Sequence, residues 1–174
     1  MPKLYLYPVD DTAQKDWANQ IDATENHTQV DDPVGSMDSW DTYIGLDIPD
    51  PNTGTKDDLY EITDTSQTGT ILSVLVHGWF FANTTGLIGF AYQKSGGNLL
   101  HTDYTYLETN AEAELTHLVK ELTGVTTFAD LADFKFGPSV QFGDLTTDSM
   151  YSSSCYLEIV YENPVVCQPL KGLL

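Results

Sequence analysis

Apolar and polar residues alternate with a period of two along most of this chain, the period of a β-strand. In residues 3–9, Leu4 and Leu6 alternate with Tyr5 and Tyr7, and Pro8 suits a strand edge or end. Residues 58–62 form another short alternating strand. The strongest element is residues 69–81, too β-branched and aromatic for a helix. The turn Ala82-Asn83-Thr84-Thr85-Gly86 follows, then a strand over residues 86–93 closed by Ser95-Gly96-Gly97. We expect these two strands to pair as a hairpin. In the first of them Val74, Val76, Gly78 and Phe80 are expected to face the core, which turns Leu75, His77, Trp79 and Phe81 outward.

Residues 111–122 fit two periods. Ala113, Leu115, His117 and Val119 alternate as in a strand, while Leu115, Leu118, Val119 and Leu122 fit a helical stripe. The neighbouring strands favour the strand. Thr127-Phe128-Ala129-Asp130 resembles a capping box and opens a short helical turn through Ala132. Extended structure resumes at Phe134-Lys135-Phe136-Gly137. The last strand, residues 153–161, places Cys155, Leu157, Ile159 and Tyr161 on one face and Tyr156, Glu158 and Val160 on the other. The Asp-rich stretch of residues 10–54 reads as long loops with β-prone pieces around Val30 and Thr42-Tyr43-Ile44. Many short strands and one helical turn indicate an all-β chain, an antiparallel β-sandwich over residues 1–161. Beyond it, residues 162–174 are apolar (Val165, Val166, Leu170, Leu173, Leu174) yet interrupted by Pro164 and Pro169. We expect this segment to act as an extended arm that buries itself on a neighbouring subunit.

Composition adds a solvent to this picture. The chain has 174 residues, no arginine, seven lysines and 26 acidic residues, for a net charge of -19. Self-repulsion on that scale is screened in molar salt, where the Debye length is about 3 Å, so the surface suits concentrated salt. It also argues against nucleic acid, which requires Lys and Arg clusters at phosphates. No run of about 18 apolar residues indicates a membrane span. Residues 1–7 lack the apolar stretch of a secretory signal, so we expect assembly in the cytoplasm.

Candidate chemistry is sparse. There is no Gly-x-Ser-x-Gly elbow, and the four histidines show no metal-ligand spacing. No enzyme activity is therefore expected. Asp47, Asp50, Asn52, Asp57 and Asp58 offer hard oxygen ligands suited to calcium, although a complete twelve-residue loop with its closing Glu is missing. The two cysteines, Cys155 and Cys167, could form a disulfide if the terminal segment folds back; a buried thiol at Cys155 is the other reading. An outward row of Leu75, His77, Trp79 and Phe81 suits a subunit interface, unless the domain covers it itself.

The order of several pieces resembles the small jelly-roll proteins encoded among the virion structural genes of tailed bacterial and archaeal viruses. Those pieces are Tyr7-Pro8, Trp17, Asp41-Thr42-Tyr43-Ile44 and Gly69-Thr70-Ile71-Leu72-Ser73-Val74-Leu75-Val76. Thr127-Phe128-Ala129-Asp130-Leu131, Phe136-Gly137 and Tyr156-Leu157-Glu158-Ile159-Val160-Tyr161 complete the series. The resemblance implies a jelly-roll sandwich acting as a non-enzymatic virion component of a virus of a salt-loving archaeon. It would decorate the capsid or build a turret, with itself and the major capsid protein as partners; a tail or baseplate component is the close variant. The alternative from another class is a carbohydrate-binding receptor-attachment module, in which Trp40, Tyr104 and Tyr106 stack on sugar rings.

Overall fold

In a computed structural model, the residues described are 1–16, 18–19, 28, 30–31, 44–48, 54–63, 65–82, 86–108, 115–142 and 148–163. They form an antiparallel β-sandwich of jelly-roll type. One sheet has the order β10 (Thr116–Glu121), β6 (Thr70–Ala82), β12 (Asp148–Glu162), β4 (Ile44–Ile48), β3 (Ala18–Asn19), with β1 (Lys3–Leu6) also on β12. We call it the first sheet. The second has the order β2 (Pro8–Lys15), β5 (Gly54–Ile62), β11 (Lys135–Phe142), β7 (Gly86–Gln93), β8 (Leu100–His101), with β9 (Thr105–Leu107) also on β7. The chain repeatedly crosses from sheet to sheet, as at β1–β2, β5–β6, β6–β7 and β11–β12.

The long strand folds as its alternation dictates. Val74, Val76 and Phe80 are fully buried between the sheets, and Cys155, Leu157 and Ile159 of β12 lie beside them. Tyr60, Ile88, Phe90, Tyr92, Phe136 and Val140 close the core from the second sheet. Two irregularities adjust the β6–β12 register, at Ser152/Ser154 and at Val160/Tyr161. They let both ends of these long strands keep an apolar face inward, since a one-residue slip would turn every side chain over. Gly78 is needed at the centre. A Cβ there would lie 2.7 Å from Phe80 and 2.8 Å from Phe90, whose rings meet across the sandwich at 5.6 Å.

Three expectations change. Residues 69–81 and 86–93 do not form a hairpin, because β6 pairs with β10 and β12 while β7 pairs with β11, β8 and β9. Their apolar faces oppose one another across the core, an arrangement with the same alternation as a hairpin. Residues 10–15, read as the start of a loop region, continue from Pro8 and Val9 as strand β2 at the edge of the second sheet. Such an edge can be polar, and Pro8, which cannot donate a ladder hydrogen bond, is tolerated there. In β10 the strand reading holds, but Leu118 is the residue turned inward and Val119 remains 39% exposed. The helical turn is a 3-10 turn, Phe128–Leu131. The Asp130 carboxylate accepts from the N–H groups of Thr126 and Thr127 and from the Thr127 hydroxyl, at 3.0, 2.9 and 3.0 Å. Those backbone bonds hold its pKa below the usual carboxylate range.

Cys155 is a fully buried free thiol, pushed well up in pKa by burial and then by the nearby Asp58. Cys167 and the segment 164–174, including Val165, Val166, Leu170, Leu173 and Leu174, lie outside the described residues.

Candidate functional site

The outer faces of the two sheets carry different chemistry. On the second sheet, Asp57 of β5 stands opposite Ser139 of β11, and Ser139 stands opposite Gly89 of β7. The segment joining β8 and β9 leaves the edge of β7 and crosses this row. It is pinned by Thr102, whose N–H donates to the Phe90 carbonyl (2.9 Å) and whose hydroxyl accepts from the Phe90 N–H (3.0 Å). Gly89 makes room: a Cβ there would meet the Tyr104 ring at 3.1 Å and the Thr102 hydroxyl at 3.2 Å. Tyr104 therefore sits directly over the sheet.

Polar groups fix its position. The buried Ser139 hydroxyl donates to Asp57 Oδ1 (2.5 Å), so in that state the Tyr104 hydroxyl donates to Ser139 Oγ (2.8 Å). Burial raises the Tyr104 pKa, keeping the phenol a donor, while its bonds to Ser139 and Thr55 act in the other direction. His101 Nε2 lies 3.1 Å from Asp57 Oδ2, and its ring stacks beside Tyr104 at 6.2 Å. Tyr106, across from Leu87 on β7, projects from the edge with 60% of its surface exposed. This surface combines an open phenol ring, a second ring locked by hydrogen bonds, and a carboxylate and imidazole at its margin. It does not have the Ser–His–Asp order of a hydrolase triad, because the Ser139 proton is directed to Asp57 and not to a histidine.

The outer face of the first sheet carries more rings, arranged differently. His117 and Trp79 are cross-strand partners, stacked at 4.0 Å and 10°. His77 and Tyr156 are likewise partners, at 4.6 Å and 11°. Tyr5 and Tyr7 close on Tyr156 at 5.9 and 5.7 Å, and Phe81 stacks on Tyr151 at 4.2 Å. These rings cover one another's faces, so His77, Phe81 and Tyr156 are buried while Trp79 and Leu75 are half-buried. His77 Nδ1 lies 3.1 Å from His117 Nε2; its Nε2 has no hydrogen-bond partner among the described residues and lies 3.6 Å from Glu158. Burial first, then the facing His117, lowers the His77 pKa, although Glu158 raises it. Burial also lowers that of His117. Glu158 is bound by Lys3 at 2.6 Å, and burial together with Glu158 pushes Tyr156 up to about 12.

The acidic set proposed for calcium is not gathered within the described residues. Asp57 and Asp58 point to opposite faces of β5: Asp57 to Ser139 and His101, Asp58 into the interior, where the Tyr60 hydroxyl donates to it at 2.9 Å. Asp47 lies on β4, and Asp50 and Asn52 lie outside the described residues, as does Trp40. Among the described residues, no cluster of three His, Cys, Asp or Glu side chains could hold a metal ion.

Sequence reasoning named Tyr104 and Tyr106 but missed Ser139, His101 and the partnership with Asp57. Its available signal was Ser139 itself, a small polar residue between Pro138 and Val140 in β11.

No family model and no curated protein matches this chain. Solved structures similar to it include a family 29 carbohydrate-binding module from Piromyces equi, at 12% identity over 91% of each chain and a TM-score of 0.45. The CBM22-1 xylan-binding domain from Paenibacillus barcinonensis Xyn10C is similar at 7% identity over 91% of this chain and 94% of that one, TM-score 0.45. A CBM4 structure covers 69% of this chain and 72% of its own, at 16% identity and TM-score 0.44.

Proposed function

We propose that this chain is a non-catalytic carbohydrate-binding sandwich that holds a glycan against the outer face of its second sheet, over Tyr104 and Tyr106. The observation that carries the reading is the exposed Tyr106 ring beside a Tyr104 locked through Ser139 and Asp57. A sugar ring offers an apolar face and a rim of hydroxyls. An open aromatic face takes the first, and a fixed polar group such as His101, held in place by the buried Asp57, takes the second. Pre-organisation matters because ordering side chains on binding lowers affinity. The test is a glycan array probed with the wild-type chain and with Tyr106→Ala. We expect retained folding, because the removed ring is mostly exposed, and at least about a tenfold loss of affinity, or ~1.4 kcal/mol. Equal binding by both proteins would remove this site from the reading.

A second reading is favoured by the first sheet. Its ring faces are closed against one another, which suits a packed protein surface better than sugar stacking. In this reading Leu75, His77, Trp79 and Phe81 belong to a face that docks the chain to other copies in an assembly such as a virion. Trp79→Glu should leave a folded monomer and abolish self-association in sedimentation. A wild-type chain that is monomeric in molar KCl at high concentration would exclude it.

A further inference from the structure

A depression of about 560 Å³ lies between residues 65–69 and the 3-10 turn, on neither of the faces described above. Two contacts tie its walls together: Thr70 bridges Thr127, and the Ile71 N–H donates to the Thr126 carbonyl at 3.2 Å. Gly69, at φ 129°, turns the chain out of this bridge in a backbone state that a side chain would strain.

The described lining residues are uncharged in a chain of net charge -19. Thr65, Gln67, Thr68 and Thr127 supply hydroxyl and amide groups, while Phe128 and Leu131 supply apolar surface. Phe128 is held edge-on to Tyr161 at 5.2 Å, and Leu131 is buried in the core. The acidic residue of the turn, Asp130, is not in the lining; its carboxylate is engaged by Thr126 and Thr127 and faces Lys94 at 3.8 Å. The polar groups are partly oriented. Thr65 Oγ1 accepts from the Gln67 N–H at 3.1 Å, and Gln67 Oε1 accepts from the Tyr161 hydroxyl at 3.4 Å. The Gln67 amide therefore retains its two N–H donors and Thr65 its O–H, while the Thr127 hydroxyl, which donates to Asp130, retains acceptor capacity.

We infer that this depression binds one neutral sugar residue or similar small polyol, with Gln67, Thr65 and Thr127 at the hydroxyls and Phe128 against the apolar face. The described lining gives an anionic sugar no counter-charge, and the net charge of the chain repels one. The site shares its ligand class with the Tyr104–Tyr106 face but none of its residues, so each can fail without the other.

The test is saturation-transfer NMR with glucose, galactose, mannose and xylose, and with glucuronate as the anionic comparison. It would use the full chain, Gln67→Leu and Tyr106→Ala; Gln67 and Tyr106 are exposed, so both variants are expected to fold. We expect transfer to at least one neutral monosaccharide, a fivefold or greater loss of affinity in Gln67→Leu, no loss in Tyr106→Ala, and at least tenfold weaker binding of glucuronate. No transfer to any of the four sugars, wild-type binding by Gln67→Leu, or equal binding of glucuronate would each overturn the inference. Loss in Tyr106→Ala alone would move the monosaccharide to the other face, ending this inference and leaving the proposed function intact.

Discussion

Gly78→Ala adds one methyl group at the centre of the sandwich, where the packing makes its consequence calculable. Gly78 faces inward on β6, between Leu118 of β10 and Cys155 of β12, beneath the Phe80 and Phe90 rings. The new Cβ would lie 2.7 Å from two Phe80 ring carbons and 2.8 Å from Phe90 Cε1. Carbon pairs sit comfortably at about 3.5–4.0 Å, so the rings or strands must move by several tenths of an ångström or more. Both rings are fully buried in the core. Forcing a methyl into a packed core costs about 1–3 kcal/mol. The smaller entropy of the unfolded alanine chain offsets ~0.4–1 kcal/mol of that. A net loss of up to about 2.6 kcal/mol remains, near 1.3 kcal/mol at the middle of both ranges, where it lowers the Tm by roughly 3–5 °C in a domain of this size. Thermal unfolding by circular dichroism, with urea midpoints as a second measure, would read it. Phe90→Leu should relieve part of the strain, so the double variant should lose less than the sum of the single losses. A Gly78→Ala Tm equal to or above wild type, or strict additivity with Phe90→Leu, would refute the packing argument.

Three further outcomes are expected. Tyr60→Phe removes the hydroxyl that donates to the buried Asp58 and should cost about 1.5–3 kcal/mol in urea unfolding; a loss below about 0.5 kcal/mol would show that the bond contributes little. His77 and His117 have pKa values below the ordinary 6.5, so the unfolded chain takes up their protons first as the pH falls. Their contribution to stability is complete above pH 6.5 and declines below it until the folded-state pKa values are passed, and a His77→Phe/His117→Phe variant should lack this part of the slope while the Lys3–Glu158 pair stays in both. Thermal stability should rise steeply from dilute buffer to molar KCl as the carboxylate repulsion is screened, and a flat Tm would contradict the reading of the charge.

The faces of β6 and β12 were legible because one side of each strand is apolar through its middle, and period two assigns the residues between the two register irregularities. Strand partners were not legible: an apolar face states that something covers it, and β7 covers β6 across the core as readily as beside it. The same limit reversed β10. Its pattern placed His117 and Val119 on an apolar side, and that side faces outward because Trp79 and His77 extend an aromatic surface there. Strand β2 was hidden by its polarity, which an edge permits. At the candidate site, Tyr104 and Tyr106 were readable as surface aromatics. Asp57 was grouped with Asp58 because they adjoin in sequence, yet strand alternation sends them to opposite faces. Only the fold brings Asp57 to Ser139 and His101, 82 and 44 residues away.

A glycan lying over Tyr104 and Tyr106 would perturb the backbone amides it touches, so the binding face can be mapped residue by residue. Backbone amide shifts would be recorded while neutral hexasaccharides of β-1,4-linked glucose, mannose and xylose are titrated into the 174-residue chain. We expect saturable shifts at Leu87, His101, Thr102 and residues 104–106 for at least one of them, with none on Trp79 or His117. Shifts confined to Trp79, His117 and their neighbours, or no saturable shift with any of the three, would contradict it.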